Sequence, residues 1–206
     1  MHEAVNGSGS GDRLLIDEFV IGERGRIDVA LIGDELSGYE IKSDLDTLNR
    51  LPRQMDVFGD VFQYCTLVIA PRHLPKARAM LRRGWGLSVV DREGADKLAL
   101  REVRRPKAMK SVKKLALAEL LWRDETLRAL DALGLANGCR AKTKDVLWAR
   151  LADATELDQL RDIVTAALTA RQGWRDVPVR HANAERFPHA GVSSGFLARR
   201  LRSPYR

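Results

Sequence analysis

Strand-like and helix-like segments follow one another in a fixed order over the first hundred residues, and that order leaves few possible folds. The runs LLIDEFVIG, RIDVALIG and LSGYEIKSD are apolar and β-branched, as are CTLVIA and GLSVVD further on. Such runs predict strands, and segments with apolar residues at helical spacing separate the third, fourth and fifth of them. The order is therefore β-β-β-α-β-α-β, which predicts an α/β domain.

The second half of the chain differs, because its apolar residues recur only at helical spacing. Pro106 and the lysine-rich stretch KAMKSVKK lie between the two halves, and four helical segments then run to about Arg171. After Gly173 this spacing disappears. We therefore predict a flexible N-terminal segment over 1–12, an α/β core over 13–104, an all-α region over 105–172 and a basic irregular tail over 173–206.

Positive charge is in excess and is concentrated at one end of the chain. The 206 residues include 35 Lys and Arg against 28 Asp and Glu, a net charge of +7. Seven arginines stand between Gly173 and Arg206, against only Asp176 and Glu185. This surplus favours nucleic acid, the commonest polyanion of a cell, as the partner. An interaction protein whose basic tail binds an acidic partner is the alternative.

Three further features restrict the class of protein. No run of about 18 apolar residues is present, so no membrane span is predicted. The first residues, MHEAVNGSGSGDR, lack the apolar segment of a secretory signal. Cys65 and Cys139 are too few for a disulfide framework or a four-thiolate zinc site. We therefore expect a cytoplasmic protein without membrane contact.

Charged side chains fall on the second and third predicted strands in a register that brings them together. The turn GDE between these strands sets Ile32 opposite Leu36, and counting back sets Asp28 opposite Glu40. Side chains alternate across a strand, so Lys42 shares a face with Glu40. The predicted sheet therefore carries two carboxylates and an amine side by side.

This grouping has a chemical interpretation and a plainer one. Two adjacent carboxylates repel each other unless a cation or a proton lies between them. A hard divalent cation such as Mg²⁺ removes the repulsion and keeps positions open for water and phosphate. Lys42 would then activate the water or stabilise charge on the phosphate. In the plainer interpretation Lys42 only neutralises two carboxylates on a solvated sheet face.

Asp28, the run Glu40-Ile41-Lys42 and Gln54 resemble the core motif of the PD-(D/E)XK nuclease superfamily. Ile27 stands where the superfamily's name has proline, and Phe58 stands where a branch with a Q-x-x-x-Y helix has tyrosine. The strings GYEIKSDLDTLNRLPRQMDVF, LVIAPRHLPKA and LLWRDE are also similar to an uncharacterised bacterial family of that superfamily. The resemblance implies a restriction-endonuclease-like mixed sheet flanked by helices, here with an all-α C-terminal region.

The resemblance also implies an activity, that of a metal-dependent nuclease hydrolysing phosphodiester bonds, with DNA as the favoured substrate. Mg²⁺ or Mn²⁺ would be the cofactor, held by Asp28, Glu40 and the carbonyl of Ile41. Lys42 would activate water, and Gln54 would position the scissile phosphate or Lys42. A non-catalytic nucleic-acid-binding module on the same fold is the alternative.

Other acidic residues near the motif compete for a place in the site. The superfamily often has a further acidic residue upstream that helps to hold the metal, and Glu18 is the candidate here, with Asp17 as the alternative. Asp44 and Asp46 follow the motif closely, but capping of a turn is the favoured role for them.

Basic residues in two places are candidates for contact with nucleic acid. Arg50 and Arg53 flank the predicted site. Further on, a helix, a glycine-containing loop and a second helix resemble the SAP motif, a DNA-binding helical hairpin. Arg140, Lys142 and Lys144 would be its phosphate contacts. An ordinary helical bundle packed on the first domain is the favoured alternative.

Tryptophan and histidine side chains are expected to have structural roles. Trp85, Trp122 and Trp148 are predicted to lie in the core, since large aromatic side chains bury much apolar area. His73 follows a predicted strand directly and is interpreted as the start of a helix instead of a catalytic base.

Overall fold

Runs of alternating apolar residues form the strands in the computed structural model of the protein, which describes residues 13–93, 97–171 and 176–178. The strands are β1 (Leu14–Ile21), β2 (Gly25–Ile32), β3 (Ser37–Lys42), β4 (Tyr64–Ile69), β5 (Gly86–Glu93), β6 (Lys97–Arg104) and β7 (Asp176–Pro178). The first five are the strands that the sequence predicts. β6 is additional, and β7 lies in the tail that was expected to be irregular.

Proline begins the first two helices, where its missing N–H costs no hydrogen bond. The helices are α1 (Leu51–Gly59), α2 (Leu74–Met80), α3 (Lys114–Ala118), α4 (Arg123–Ala132), α5 (Lys144–Ala154) and α6 (Leu157–Ala170), with a 3₁₀ turn at Pro71–His73. The last four are the helical segments predicted for the second half. Among the described residues, no helix is long and apolar enough to cross a membrane.

The strands form a mixed sheet in the order β6-β5-β4-β3-β2-β1-β7. β3, β4 and β5 run parallel, because α1 and α2 return the chain between them. The other neighbouring strands are antiparallel. The fold is therefore α/β, a mixed sheet with helices against it and a helical C-terminal part, as the sequence predicts.

Apolar side chains on the two faces of the sheet form separate clusters. The larger cluster joins the strands to the helices, with Met55 of α1, Leu130 of α4, Leu151 of α5 and Val164 of α6 among its members. The smaller cluster consists of strand residues on the other face: Leu15, Val29, Leu31, Tyr39, Ile41, Val68 and Val90. The described helices therefore share one face of the sheet.

Gly38 allows side chains to pack directly on the backbone of β3. A Cβ atom at this position would lie 2.5 Å from Cδ1 of Ile27 and 2.9 Å from the ring of Phe62. Only glycine avoids these clashes without a shift of its neighbours. The close packing fixes β3 against β2 next to the charged residues.

A buried ion pair joins the start of α4 to the end of α6. Arg171 donates from Nε and Nη2 to the two oxygens of Glu125, at 2.7 and 2.6 Å. Nη2 of Arg171 also donates to the carbonyl oxygen of Leu120 at 2.6 Å, and Glu125 accepts the N–H of Trp122 at 2.7 Å. The pair thus fixes both helices to the chain that precedes α4.

We expect Glu125→Gln to destabilise the protein by about 2 kcal/mol near neutral pH, because hydrogen bonds to a charged group are lost. Burial opposes ionisation of Glu125, but the bonds from Arg171 and Trp122 outweigh it and lower the pKa of the carboxyl. A carboxyl whose pKa is lower in the folded than in the unfolded protein stabilises the fold. This stabilisation is complete at pH values above the unfolded pKa, and it is lost as the pH falls through the folded pKa.

Urea unfolding of both proteins over an acid-to-neutral series checks this prediction. The difference in unfolding free energy should narrow as the pH falls. Asp153→Asn, which neutralises an exposed carboxylate on α5, is the matched control and should change stability little. A difference for Glu125→Gln that stays constant with pH would contradict the assigned role of the carboxylate charge.

Candidate functional site

β3 directs Glu40 and Lys42 toward the helices, because their neighbours Tyr39 and Ile41 belong to the apolar cluster on the other face. Glu40 is 1% exposed and Lys42 is 2% exposed. The prediction that they share a face is therefore confirmed. The solvated sheet face of the plainer interpretation is contradicted, since both groups are buried.

Asp28 lies across from Glu40 in the register of β2 and β3. The ladder pairs Leu31 with Ser37 and Val29 with Tyr39, and its continuation sets Asp28 against Glu40, as the length of the turn predicts. Oδ2 of Asp28 accepts the backbone N–H of Ile41 at 2.7 Å. The carboxylate of Asp28 is thus fixed against β3 at the level of Glu40.

Glu40 accepts two hydrogen bonds at the same oxygen. Nζ of Lys42 and Nε2 of Gln54 each lie 2.6 Å from Oε1 of Glu40. Gln54 reaches it from α1, which packs over this end of the sheet. Oε1 of Gln54 is buried, and within the described part of the chain it accepts no hydrogen bond. An oxygen of this kind is suited to a water or a ligand bound in the site.

Burial makes this charged group costly for stability. Removing an ion pair from water costs several kcal/mol per ion in typical proteins, which their mutual attraction only partly offsets. In other proteins, apolar side chains in place of such a pair are often neutral or stabilising. Stability alone therefore does not explain these buried charges, which makes them a candidate functional site.

Glu18 lies across from Asp28 on the opposite side of β2. β1 pairs Asp17 with Val29 and Phe19 with Ile27, so Glu18 is the residue level with Asp28. Glu18 has a φ of 56°, a left-handed conformation that is strained for a residue with a side chain. Its carboxylate forms an ion pair with Arg26. Of the two candidates on β1, Glu18 is thus the one next to the site.

The donor atoms fit a magnesium ion in part. Carboxylates of Asp28 and Glu40 on adjacent strands, with a buried amide oxygen of Gln54 beside them, are the oxygen ligands that Mg²⁺ prefers. Across residues 13–93, 97–171 and 176–178, no group of three or more His, Cys, Asp or Glu side chains could hold a metal ion. Glu18 is therefore not assembled with the other two carboxylates, and water would complete the ligand set.

The acidic residues after β3 have structural roles. Oδ2 of Asp46 accepts the N–H and the hydroxyl of Ser43, at 2.7 and 2.6 Å, and so closes the turn that follows Lys42. Asp44 lies 3.9 Å from Arg72. Nε2 of His73 lies 2.8 Å from the carbonyl oxygen of Ser43. The turn role favoured for Asp46 is confirmed, although the turn lies earlier than expected.

The basic candidates all lie on the surface. Arg50 and Arg53 are exposed at the start of α1. Arg140 and Lys142 are exposed in the connection between α4 and α5, and Lys144 is exposed at the start of α5. Their contact with nucleic acid stays a prediction.

The prediction that three tryptophans lie in the core is wrong for one of them. Trp85 is fully buried, as predicted, and Trp148 is half-buried and packs against the core, but Trp122 is 61% exposed. The signal was present, since Trp122 directly precedes the helix start RDE and residues at such positions border solvent.

The sequence of the chain is similar to that of a known protein family. A sequence-family profile described as "Bacteriophage P4 protein cII" matches residues 3–186. The chain belongs to this family. "Protein cII" of Enterobacteria phage P4 is 24% identical to this cII-family chain over 163 residues, which are 78% of this chain and 60% of the phage protein. The chain thus spans about three fifths of that relative's length.

A solved structure also resembles the cII-family chain. It is a protein of unknown function from Silicibacter pomeroyi, with 20% sequence identity and a TM-score of 0.37. The likeness covers 62% of this chain and 83% of the other. A likeness this distant carries no argument about the site.

Proposed function

We propose that this cII-family protein is a metal-dependent nuclease that hydrolyses phosphodiester bonds, with DNA as its substrate. The observation that carries the proposal is the buried cluster of Glu40, Lys42 and Gln54, with Asp28 across from Glu40 in the sheet. The strands and helix that hold these residues occur in the order of the PD-(D/E)XK superfamily, whose motif they resemble. Membership of that superfamily is part of the proposal.

Asp28 and Glu40 would hold Mg²⁺ or Mn²⁺, together with the carbonyl of Ile41. The ion supplies a water of lowered pKa and neutralises charge on the phosphate when it is bound. Asp28 is held by the N–H of Ile41, and Glu40 is held by Gln54, so both carboxylates are positioned before any ligand arrives. A metal ion held by only two side chains requires that both are fixed in position.

Lys42 would activate the attacking water by lowering its pKa, or stabilise the charge on the phosphate. Its Nζ atom lies 2.6 Å from Oε1 of Glu40, so the carboxylate holds the ammonium in the site. Gln54 orients Glu40 and leaves its own Oε1 to accept a hydrogen bond from a water, through which it would position the scissile phosphate. The exposed arginines of α1, Arg50 and Arg53, would hold the DNA backbone.

We expect the purified protein to cleave plasmid or linear DNA with Mg²⁺ or Mn²⁺, and to be inactive when EDTA removes the metal. Excess Mg²⁺ should restore cleavage, since the ligands are protein side chains that remain in place. Gel electrophoresis over a time course measures the rate. Lys76→Ala, which removes an exposed lysine of α2, is a control that should cleave like the unaltered protein.

The same experiment separates the alternatives. DNA binding without cleavage under every metal tested would favour a non-catalytic binding module on this fold. Equal cleavage with and without EDTA would show that the metal assignment is wrong. If the protein neither binds nor cleaves DNA, the remaining explanation of the positive charge is an interaction protein that binds an acidic partner.

A further inference from the structure

A cleft of about 880 Å³ lies between β1 and the helical region. Glu18 lines it from the sheet, and Trp122, Arg123, Lys144 and Trp148 line it from the helices. Its size falls within the roughly 300–1,000 Å³ of typical ligand pockets. The nuclease proposal assigns no role to its aromatic wall.

Trp122 presents a fixed aromatic ring to this cleft. The guanidinium carbon of Arg171 lies 4.2 Å from the centre of the Trp122 ring, so one face of the ring is covered. Arg171 is itself fixed by Glu125 and by the carbonyl oxygen of Leu120. The ring is nevertheless 61% exposed. A large ring held from behind and open in front is a surface on which a nucleobase can stack.

Positive charge surrounds the ring at the starts of two helices. Arg123 is the first residue of α4, and Lys144 is the first residue of α5. Nζ of Lys144 lies 5.2 Å from the centre of the Trp148 ring, and no salt bridge joins Lys144 to a carboxylate of the described chain. Helix N-termini add partial positive charge. Asp17, Glu18 and Glu119 line the same cleft, so a phosphate fits only its helical side, next to Arg123 and Lys144.

Glu18 is the cleft residue that lies level with Asp28 in the sheet. A strand whose base stacks on Trp122 would therefore cross β1 near Glu18 to reach Asp28 and Glu40. Stacking of this kind needs a base that is not already stacked in a duplex.

We propose that the cleft binds an unpaired nucleotide of single-stranded DNA, with its base on Trp122 and its phosphate against Arg123 and Lys144. This inference rests on the proposed nuclease function and gives it a substrate class, DNA with a single-stranded segment. The aromatic side selects unpaired bases, and the basic side holds the backbone without regard to sequence.

Fluorescence anisotropy with labelled oligothymidylate and a labelled duplex, both in EDTA, tests the proposal without cleavage. Trp122→Ala should weaken single-strand binding by roughly tenfold, as expected when one base loses its stacking partner. Trp122→Phe should keep most of the affinity, and duplex binding should change by less than about twofold in either variant. Val146→Ala, an exposed apolar residue on α5 outside the cleft, is the matched control.

Salt dependence gives a second, independent measurement. Lys144→Ala should reduce the slope of log affinity against log salt by about 0.7 for the single strand, whereas Lys76→Ala should leave it unchanged. Thermal unfolding of each variant shows that it is folded, which is expected because these side chains lie on the surface.

Separate outcomes overturn the inference and the function on which it rests. Single-strand binding that is unchanged in Trp122→Ala, or lost equally for single strand and duplex, would overturn the cleft assignment even if the protein cleaves DNA. Selective loss of single-strand binding would support the cleft, even if no metal activates cleavage and the nuclease proposal fails. An unaltered protein that binds no single strand would overturn the inference.

Discussion

Lys42→Met is expected to lower the rate of metal-dependent DNA cleavage by about a thousandfold, the usual effect of removing a positioned electrostatic stabiliser. Methionine fills the same length of side chain, so the change removes the ammonium and retains most of the packing. Binding of uncleaved DNA in EDTA should be nearly unchanged, because Lys42 is only 2% exposed.

Single-turnover cleavage with saturating protein measures this rate separately from binding. Lys76→Met, the same substitution on the exposed face of α2, is the matched control. Circular dichroism of Lys42→Met shows whether the variant is folded at the assay temperature. Cleavage by folded Lys42→Met at the rate of the unaltered protein would place the activity elsewhere, either in another site or in a contaminating enzyme.

The part of the site that local rules determine could be predicted from sequence. The length of the GDE turn fixes the register of β2 and β3, and the two-residue period of a strand puts Glu40 and Lys42 on one side. These rules need only the residues between Asp28 and Lys42. They predict which residues of β2 and β3 are adjacent, and the observed register agrees with that prediction.

The burial of those residues could not be predicted in the same way. Glu40 is covered because α1 and the helical region pack on that face, and their residues lie far along the chain. The contact from Gln54 is an example, since only the resemblance to a nuclease motif indicated it. Tertiary packing determines such contacts, and the spacing of apolar residues along the sequence does not predict it.

The sequence did not predict the two strands at the edges of the sheet, β6 and β7. The residues of β6, KLALREVR, include many charged helix formers, and they are tolerated because β6 pairs on one side only among the described strands. β7 is a three-residue strand that ends in proline, which is confined to edges and strand ends. Pairing with a neighbouring strand, and not intrinsic propensity, determines both.

A double-mutant cycle at Glu40 and Lys42 should give the largest effects on stability. Glu40→Gln and Lys42→Met each leave one buried charge without its partner, which typically costs about 3–5 kcal/mol. The double variant removes both charges and should recover most of that loss, so the two changes are strongly non-additive. Urea unfolding of the four proteins in EDTA measures each unfolding free energy.

The cycle also distinguishes a structural role of the pair from a chemical one. If the pair contributed net stability, the double variant would remain clearly less stable than the unaltered protein. If the pair is retained for chemistry, the double variant should approach the stability of the unaltered protein while cleavage stays lost, since the net contribution of a buried ion pair is often close to zero. Single variants that each change stability by less than about 0.5 kcal/mol, as surface substitutions do, would contradict the burial on which the site depends.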